Sequence, residues 1–265
     1  MKLTLIITTY NWPASLLLVI ESIKHQTIHP DEVIIADDGS NSSTKDLIDD
    51  FKKNSELKII HSWQKDIGFR AARSRNNAIL KSTGEYIVLI DGDTILHCDF
   101  IKDHIMNAEP GNFVQGKRSL ISKKQTNTAL IEKKINFSFF SIGLKNRKNS
   151  IHSNLLSSIF SNDKNHLRGI KSCNMAFYRK DCLNINGFNN EFEGWGREDS
   201  EFVVRLMNSG VKRKNARFNA IQFHLWHNEN PRVSLIKNDE ILNDAIYNQK
   251  NWCKNGINSL EENDS

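Results

Sequence analysis

The chain has 265 residues, a net charge of +5, and 38% hydrophobic, 9% aromatic and 25% charged residues. These are the proportions of a soluble globular protein, long enough for one full core or a domain with a small subdomain. No apolar stretch approaches the ~20 residues that span a bilayer.

The N-terminus runs straight into a strand, Leu3-Thr4-Leu5-Ile6-Ile7, with no signal-peptide architecture. Short apolar runs bounded by turn residues predict strands over 3–8, 32–36, 57–60 and 86–91. Helical spacing falls between them. Residues 14–25 carry Leu16, Leu17, Val19, Ile20 and Ile23, and residues 43–53 carry Leu47, Ile48 and Phe51. Residues 71–82 carry Ala71, Ala72, Ala78 and Ile79. Strand–helix–strand units demand right-handed crossovers and a mostly parallel sheet, an α/β fold. Ligands of such sheets bind beyond the carboxyl ends of the strands. Thr8-Thr9-Tyr10-Asn11, Asp37-Asp38-Gly39-Ser40 and Asp91-Gly92-Asp93 all fall there. Two carboxylates around a glycine suit a divalent cation carrying a diphosphate. The last residues, 261–265, are expected to fray. Cys98, Cys173, Cys182 and Cys253 form no CxxC pair, which predicts a reduced, cytoplasmic protein.

These segments, with Gly68…Arg75-Asn76 and Gly84-Glu85-Tyr86, resemble the nucleotide-binding half of GT-A fold, family 2 glycosyltransferases. The resemblance covers residues 3–117. It implies a nucleotide-sugar-binding half, 1–117, and an acceptor-binding, catalytic half of the same domain, 118–265. A uracil ring needs a flat partner, which Tyr10 can supply, and an acceptor for its N3–H. By the resemblance, Asp38 rather than Asp37 is that acceptor. The run Asp38-Gly39-Ser40-Asn41-Ser42 also has the pattern of a turn and a helix N-cap. Thr8, Gly92 and Asp91 belong to the same donor site. Arg70, Arg73 or Arg75 could meet the diphosphate. The loop from Gly68 to Asn76 is about two residues longer than the family's, which leaves Arg73 and Arg75 both open.

The segment from Gly187-Phe188 through Gly194-Trp195-Gly196 and Glu198-Asp199 to Arg205-Leu206 and Gly210 is similar to the C-terminal part of β-1,4-galactosyltransferases. Two glycines around a tryptophan allow a sharp turn and an exposed ring on which a sugar can stack. Glu198 and Asp199 open a helix whose apolar face is Phe202, Val203, Leu206 and Met207, and its dipole favours acids there. The resemblance implies that Asp199 is the catalytic base. It implies that Trp195, Gly196 and Glu198 meet the acceptor. In His224-Leu225-Trp226-His227, residues three apart on a strand point to opposite faces. A shared metal therefore requires the strand to end between the histidines. The galactosyltransferase likeness puts a metal ligand at His227, with His224 where those enzymes have a thioether. The implied set is Asp93 with His227 and His224, holding Mn²⁺ or Mg²⁺, with Asp91 on the ribose or on metal-bound water.

Residues 118–170 hold ten Lys or Arg against Glu132 and Asp163, a net +8 that leaves about −3 elsewhere. The block includes Phe137, Phe139 and Phe140. It reads either as a solvated face or as a surface for an anionic membrane or a phosphorylated, lipid-linked acceptor. No nucleic acid is expected. The combined expectation is a metal-dependent, inverting transferase moving a hexose or N-acetylhexosamine from a UDP-sugar to a saccharide of surface polysaccharide or lipopolysaccharide. Its setting would be cytoplasmic, on the inner face of the membrane. A sugar-nucleotide pyrophosphorylase would want a Gly-rich basic loop where Asn11-Trp12-Pro13-Ala14 stands. A non-catalytic binder of carbohydrate or anionic polymer leaves Asp91, Asp93, Asp199 and His227 unexplained.

Overall fold

The computed structural model describes residues 1–163, 165–229 and 231–261. Residues 262–265, most of the tail expected to fray, lie outside them. The first half runs β1 (Leu3–Thr9), α1 (Pro13–Lys24), β2 (Glu32–Asp37), α2 (Ser42–Asn54), β3 (Ile59–Trp63), α3 (Ala71–Lys81) and β4 (Tyr86–Asp91). Next come β5 (Thr94–Leu96), α4 (Phe100–Asn107), β6 (Asn112–Gln115), β7 (Arg118–Ile121), α5 (Lys123–Glu132) and β8 (Leu144–Lys145). The second half adds α6 (Asn154–Phe160), β9 (Asn162–Asp163), β10 (Asn174–Tyr178), α7 (Arg179–Asn184) and α8 (Glu198–Asn208). It ends in β11 (Lys212–Asn215), β12 (Gln222–His224), α9 (Leu235–Tyr247) and α10 (Asn258–Glu261).

Eight strands form the main sheet in the order β3-β2-β1-β4-β10-β6-β11-β9. The first four are parallel, as the alternation of strand and helix requires. Beyond β4 the sheet is mixed. β10 lies antiparallel to both β4 and β6, and β11 returns parallel to β6. An antiparallel neighbour needs no helical crossover, so the helical rhythm of the first half does not announce it. A second sheet, β5-β12-β7-β8, stands beside the first.

The central strands β1, β2 and β4 are mostly apolar because both faces of the sheet are covered there. Leu5, Ile7, Val33, Ile35, Val88 and Ile90 pack with Leu16, Val19 and Ile20 of α1 and Ile48 of α2. The alternate residues Ile6, Ile34, Ile87 and Leu89 pack with Ala72 and Ile79 of α3 and Phe202 and Leu206 of α8. The two halves of the chain thus share cores. Pro13 opens α1, where its missing N–H costs nothing. Asn41 caps α2 by accepting the Ser43 N–H, so the capping pattern after Asp38 is real. No helix among the described residues is long and apolar enough to cross a membrane.

α8 is fixed by a fully buried pair. Arg205 donates to both carboxylate oxygens of Glu201, at 2.7 and 2.8 Å. Its remaining N–H groups reach the carbonyls of Ile185 and Gly187. Every strong partner of that charge is therefore inside the protein.

Candidate active site

The carboxyl ends of β1, β2 and β4, the first turn of α8 and the end of β12 wall one cavity of about 510 Å³. Thr8, Tyr10, Asp38, Arg75, Asp91, Gly92, Asp93, Trp195, Gly196, Glu198, Asp199, His224 and His227 all line it. Arg70 and Arg73 do not. The Arg70 guanidinium turns away to the Lys65 carbonyl, at 2.6 Å, and its backbone N–H goes to Asp38. The expected diphosphate role of Arg70 therefore has no support in its position. Arg75 alone of the three faces the cavity. It is buried, with Nε on Thr8 Oγ1 at 3.2 Å, Nη1 3.2 Å from Glu198 Oε1 and Nη2 3.7 Å from Asp91 Oδ1.

At the mouth, Tyr10 leaves its ring half exposed and donates its hydroxyl to Asp66. Asp38 is buried and accepts from Gln64 Nε2 and the Arg70 N–H. Burial raises its pKa above the usual carboxylate range, although both hydrogen bonds oppose that. Asp37 is taken up by the Ser40 N–H and His61, away from the cavity. Gly92 has a reason to be glycine: its N–H bonds the Thr8 carbonyl at 2.7 Å, and a Cβ would lie 2.9 Å from Thr9 Oγ1. That close approach to β1 turns Asp91 and Asp93 into the cavity.

The two histidines meet as the strand argument required. β12 pairs antiparallel with β5 as far as His224 opposite Thr94, and the Leu225 N–H continues to the Asp93 carbonyl. The strand ends there, and His227 swings back. Asp93 Oδ2 lies 3.4 Å from His224 Nε2 and 3.2 Å from His227 Nε2. Asp93 Oδ1 is buried with no hydrogen-bond partner among the described residues. Burial works to raise Asp93, but the two histidines and Arg118 outweigh it and hold the carboxyl below its usual value. Burial pushes His224 down to about 4, which favours the neutral imidazole that a metal ligand needs. The hydrogen bond to Asp93 raises His227. A carboxylate with one oxygen between two imidazoles and the other unpaired is the donor set of a divalent transition metal such as Mn²⁺. These residues fit such an ion.

The opposite wall is built by backbone turns. Gly194, Gly196 and Arg197 all have positive φ, which carries the chain sharply around Trp195 before α8 begins. The turn is pinned by the Gly194 N–H to the Phe69 carbonyl and by Asn238 Nδ2 to the Gly196 carbonyl. Arg232 lies over the Trp195 ring at 5.2 Å. Asp199 accepts the Ser172 N–H on one oxygen and the Ser200 N–H on the other. Burial, then the neighbouring Glu198 charge, raises Asp199 above the ordinary aspartate value. Burial and Asp93 do the same to Asp91.

Sequence reasoning missed several lining residues: Trp12, Arg118, Lys171, Ser172 and Arg232. Arg118 is the chief of these. Its Nη1 reaches Cys173 Sγ at 3.5 Å, and its charge acts on both Asp91 and Asp93. Its place in the basic block was the available signal. Only the pairing of β7 with β12 brings it to the cavity.

Residues 4–184 match the sequence profile of Glycosyl transferase family 2, and residues 156–228 that described as N-terminal domain of galactosyltransferase. The chain is 27% identical over 232 residues to hyaluronan synthase of Pasteurella multocida, covering 78% of this chain and 23% of that protein. It is 25% identical over 231 residues to chondroitin synthase of Escherichia coli, covering 78% and 32%. It thus spans about a quarter to a third of the length of these relatives. The crystal structure of S. aureus TarS in complex with UDP shares the fold, with TM-score 0.61 and 15% identity over 91% of this chain and 64% of that one.

Proposed function

The chain belongs to glycosyl transferase family 2, and we propose that it is an inverting, metal-dependent transferase. It moves a hexose or N-acetylhexosamine from a UDP-sugar to a saccharide acceptor during bacterial surface polysaccharide or lipopolysaccharide synthesis. The relatives named for hyaluronan and chondroitin synthesis, and the UDP in the TarS complex, support the donor and product classes.

The uracil stacks on the half-exposed Tyr10 ring and gives its N3–H to Asp38. Arg75 neutralises diphosphate charge from its seat between Asp91 and Glu198. Asp93, His224 and His227 would hold the divalent ion, whose charge stabilises the departing diphosphate. The acceptor sugar lies on Trp195.

The observation that carries the reading is the state of Asp199. It lines the same cavity as the Asp93–histidine cluster, with two backbone N–H groups fixing its carboxylate. Glu198 is tied to Arg75, so Asp199 is the carboxylate left to take a proton. It removes the acceptor hydroxyl proton as that oxygen attacks the anomeric carbon. One displacement with one base inverts that carbon, through a transition state with oxocarbenium character.

A thermal-shift panel of nucleotide sugars with and without Mn²⁺ tests the donor assignment. A donor at 100 times its Kd should add roughly 2.7 kcal/mol of stability. Stabilisation by UDP-sugars is expected and depends on Mn²⁺. A shift with guanine or thymine nucleotides alone would contradict it.

A further inference from the structure

The end of α5 and the loop from it to β8 expose apolar side chains that a soluble surface does not need. Ile131, Phe140 and Ile142 are 83%, 84% and 80% exposed. Lys133, Lys134, Lys145 and Lys148 are exposed around them, and no acid occurs from 133 to 148. Single exposed apolar residues are ordinary. Three within twelve positions, with exposed lysines on both sides in the sequence, give one segment two chemistries.

The loop is also built to hold its shape. Phe137 is buried against Phe223 in the core of the second sheet, with ring centroids 5.5 Å apart. Ser138 and Ser141 exchange hydrogen bonds across the turn, from the Ser141 N–H to the Ser138 carbonyl and from the Ser138 N–H to Ser141 Oγ. Arg147 lies against Phe139 and donates to the Ser141 carbonyl. Phe140 therefore projects from an anchored turn.

From this arrangement we infer that residues 131–148 are a docking surface for an anionic lipid bilayer. Ile131, Phe140 and Ile142 enter the boundary between headgroups and acyl chains, and the lysines meet lipid phosphates. A polyanionic polymer would engage the cations but has no use for the apolar groups, whereas a bilayer engages both. The surface is tied to the active site through α5: Thr126 Oγ1 accepts the Trp226 N–H, and Lys123 lies over the Trp226 ring, next to His227. Docking would hold the cavity beside acceptors carried on lipid.

The test is co-sedimentation of the full chain with vesicles of phosphatidylcholine alone or mixed with phosphatidylglycerol, at low and high salt. Binding to the anionic vesicles is expected, falling steeply as salt screens the charges. Each cation near an anionic leaflet strengthens binding about fivefold, so K133Q/K145Q/K148Q should weaken it roughly a hundredfold. F140S/I142S should also lose vesicle binding while still binding dextran sulfate as wild type does. Both variants change only exposed side chains, and circular dichroism should show them folded. Equal binding to neutral and anionic vesicles would overturn the inference. So would F140S/I142S binding anionic vesicles as tightly as wild type, which would leave a patch for soluble polyanions. Because the readout is binding, failure here leaves the reading of the active site standing.

Discussion

Asp199 and His227 are the residues whose protonation the account most depends on. Asp199→Asn keeps the size of the side chain and one of its two backbone hydrogen bonds but cannot accept a proton. Turnover should fall roughly 10²–10⁴-fold, the range for a positioned base, with donor affinity nearly unchanged. Lost donor affinity at preserved turnover would remove Asp199 from the base role. The wild-type rate should also carry an acid limb. The proposed base role requires Asp199 ionised, and burial beside Glu198 raises its pKa. The rate should therefore fall as pH drops through a midpoint above the ordinary aspartate value of about 3.9. His227 behaves in the opposite sense during metal binding. Asp93 holds a proton on it above the usual histidine range. That proton leaves when the imidazole gives its lone pair to an ion. Mn²⁺ affinity by calorimetry should thus still be rising above pH ~6.5, and a flat profile would contradict the ligand assignment.

At the scale of elements, α8 and the turn before it form the cavity wall proposed to hold the acceptor. Arg205→Met strands the buried Glu201 carboxylate and frees the Ile185 and Gly187 carbonyls. Breaking such a pair costs about 3–5 kcal/mol, which urea unfolding would register. The double variant with Glu201→Met should recover part of that loss, because no charge is then left buried. Gly194→Ala makes a different demand. Its φ is +73°, and a Cβ there runs into Ser234 Oγ. The turn should shift and carry Trp195 with it. Acceptor KM should rise while donor binding, on the other wall, is unaffected. A rise in donor Kd of the same size would mean that the walls are not separate.

The limits of sequence reading also show at this scale. β1, β2, β4 and the first three helices announce themselves through their own periodicity, whereas the strand expected over 57–60 runs Ile59–Trp63, because its second half, His61-Ser62-Trp63, carries no apolar run. The meeting of Asp93, His224 and His227 could be stated only as a condition, that β12 end at His224. Satisfying it depends on the β5–β12 pairing, which joins segments about 130 residues apart. Arg118 too reaches the cavity only through a long-range pairing, that of β7 with β12. Arg70 misled for the converse reason. Its position one residue before α3 suggests a phosphate contact, but the Lys65 carbonyl competes for the guanidinium.

For the whole molecule, the two halves make one cavity rather than two adjoining units. β10 of the second half lies between β4 and β6 of the first, and Phe202 of α8 packs in the core beneath Ile6 and Ile87. The Asp93 and Asp199 walls are therefore held at a fixed separation by shared packing. The most direct measurement is the rate of UDP release from UDP-sugars with water as the only acceptor, for wild type and Asp93→Ala, in Mn²⁺ and in EDTA. The account expects slow release from one UDP-sugar by wild type in Mn²⁺, and none above background in EDTA or with Asp93→Ala. Equal release in EDTA, or an Asp93→Ala rate matching wild type, would contradict it.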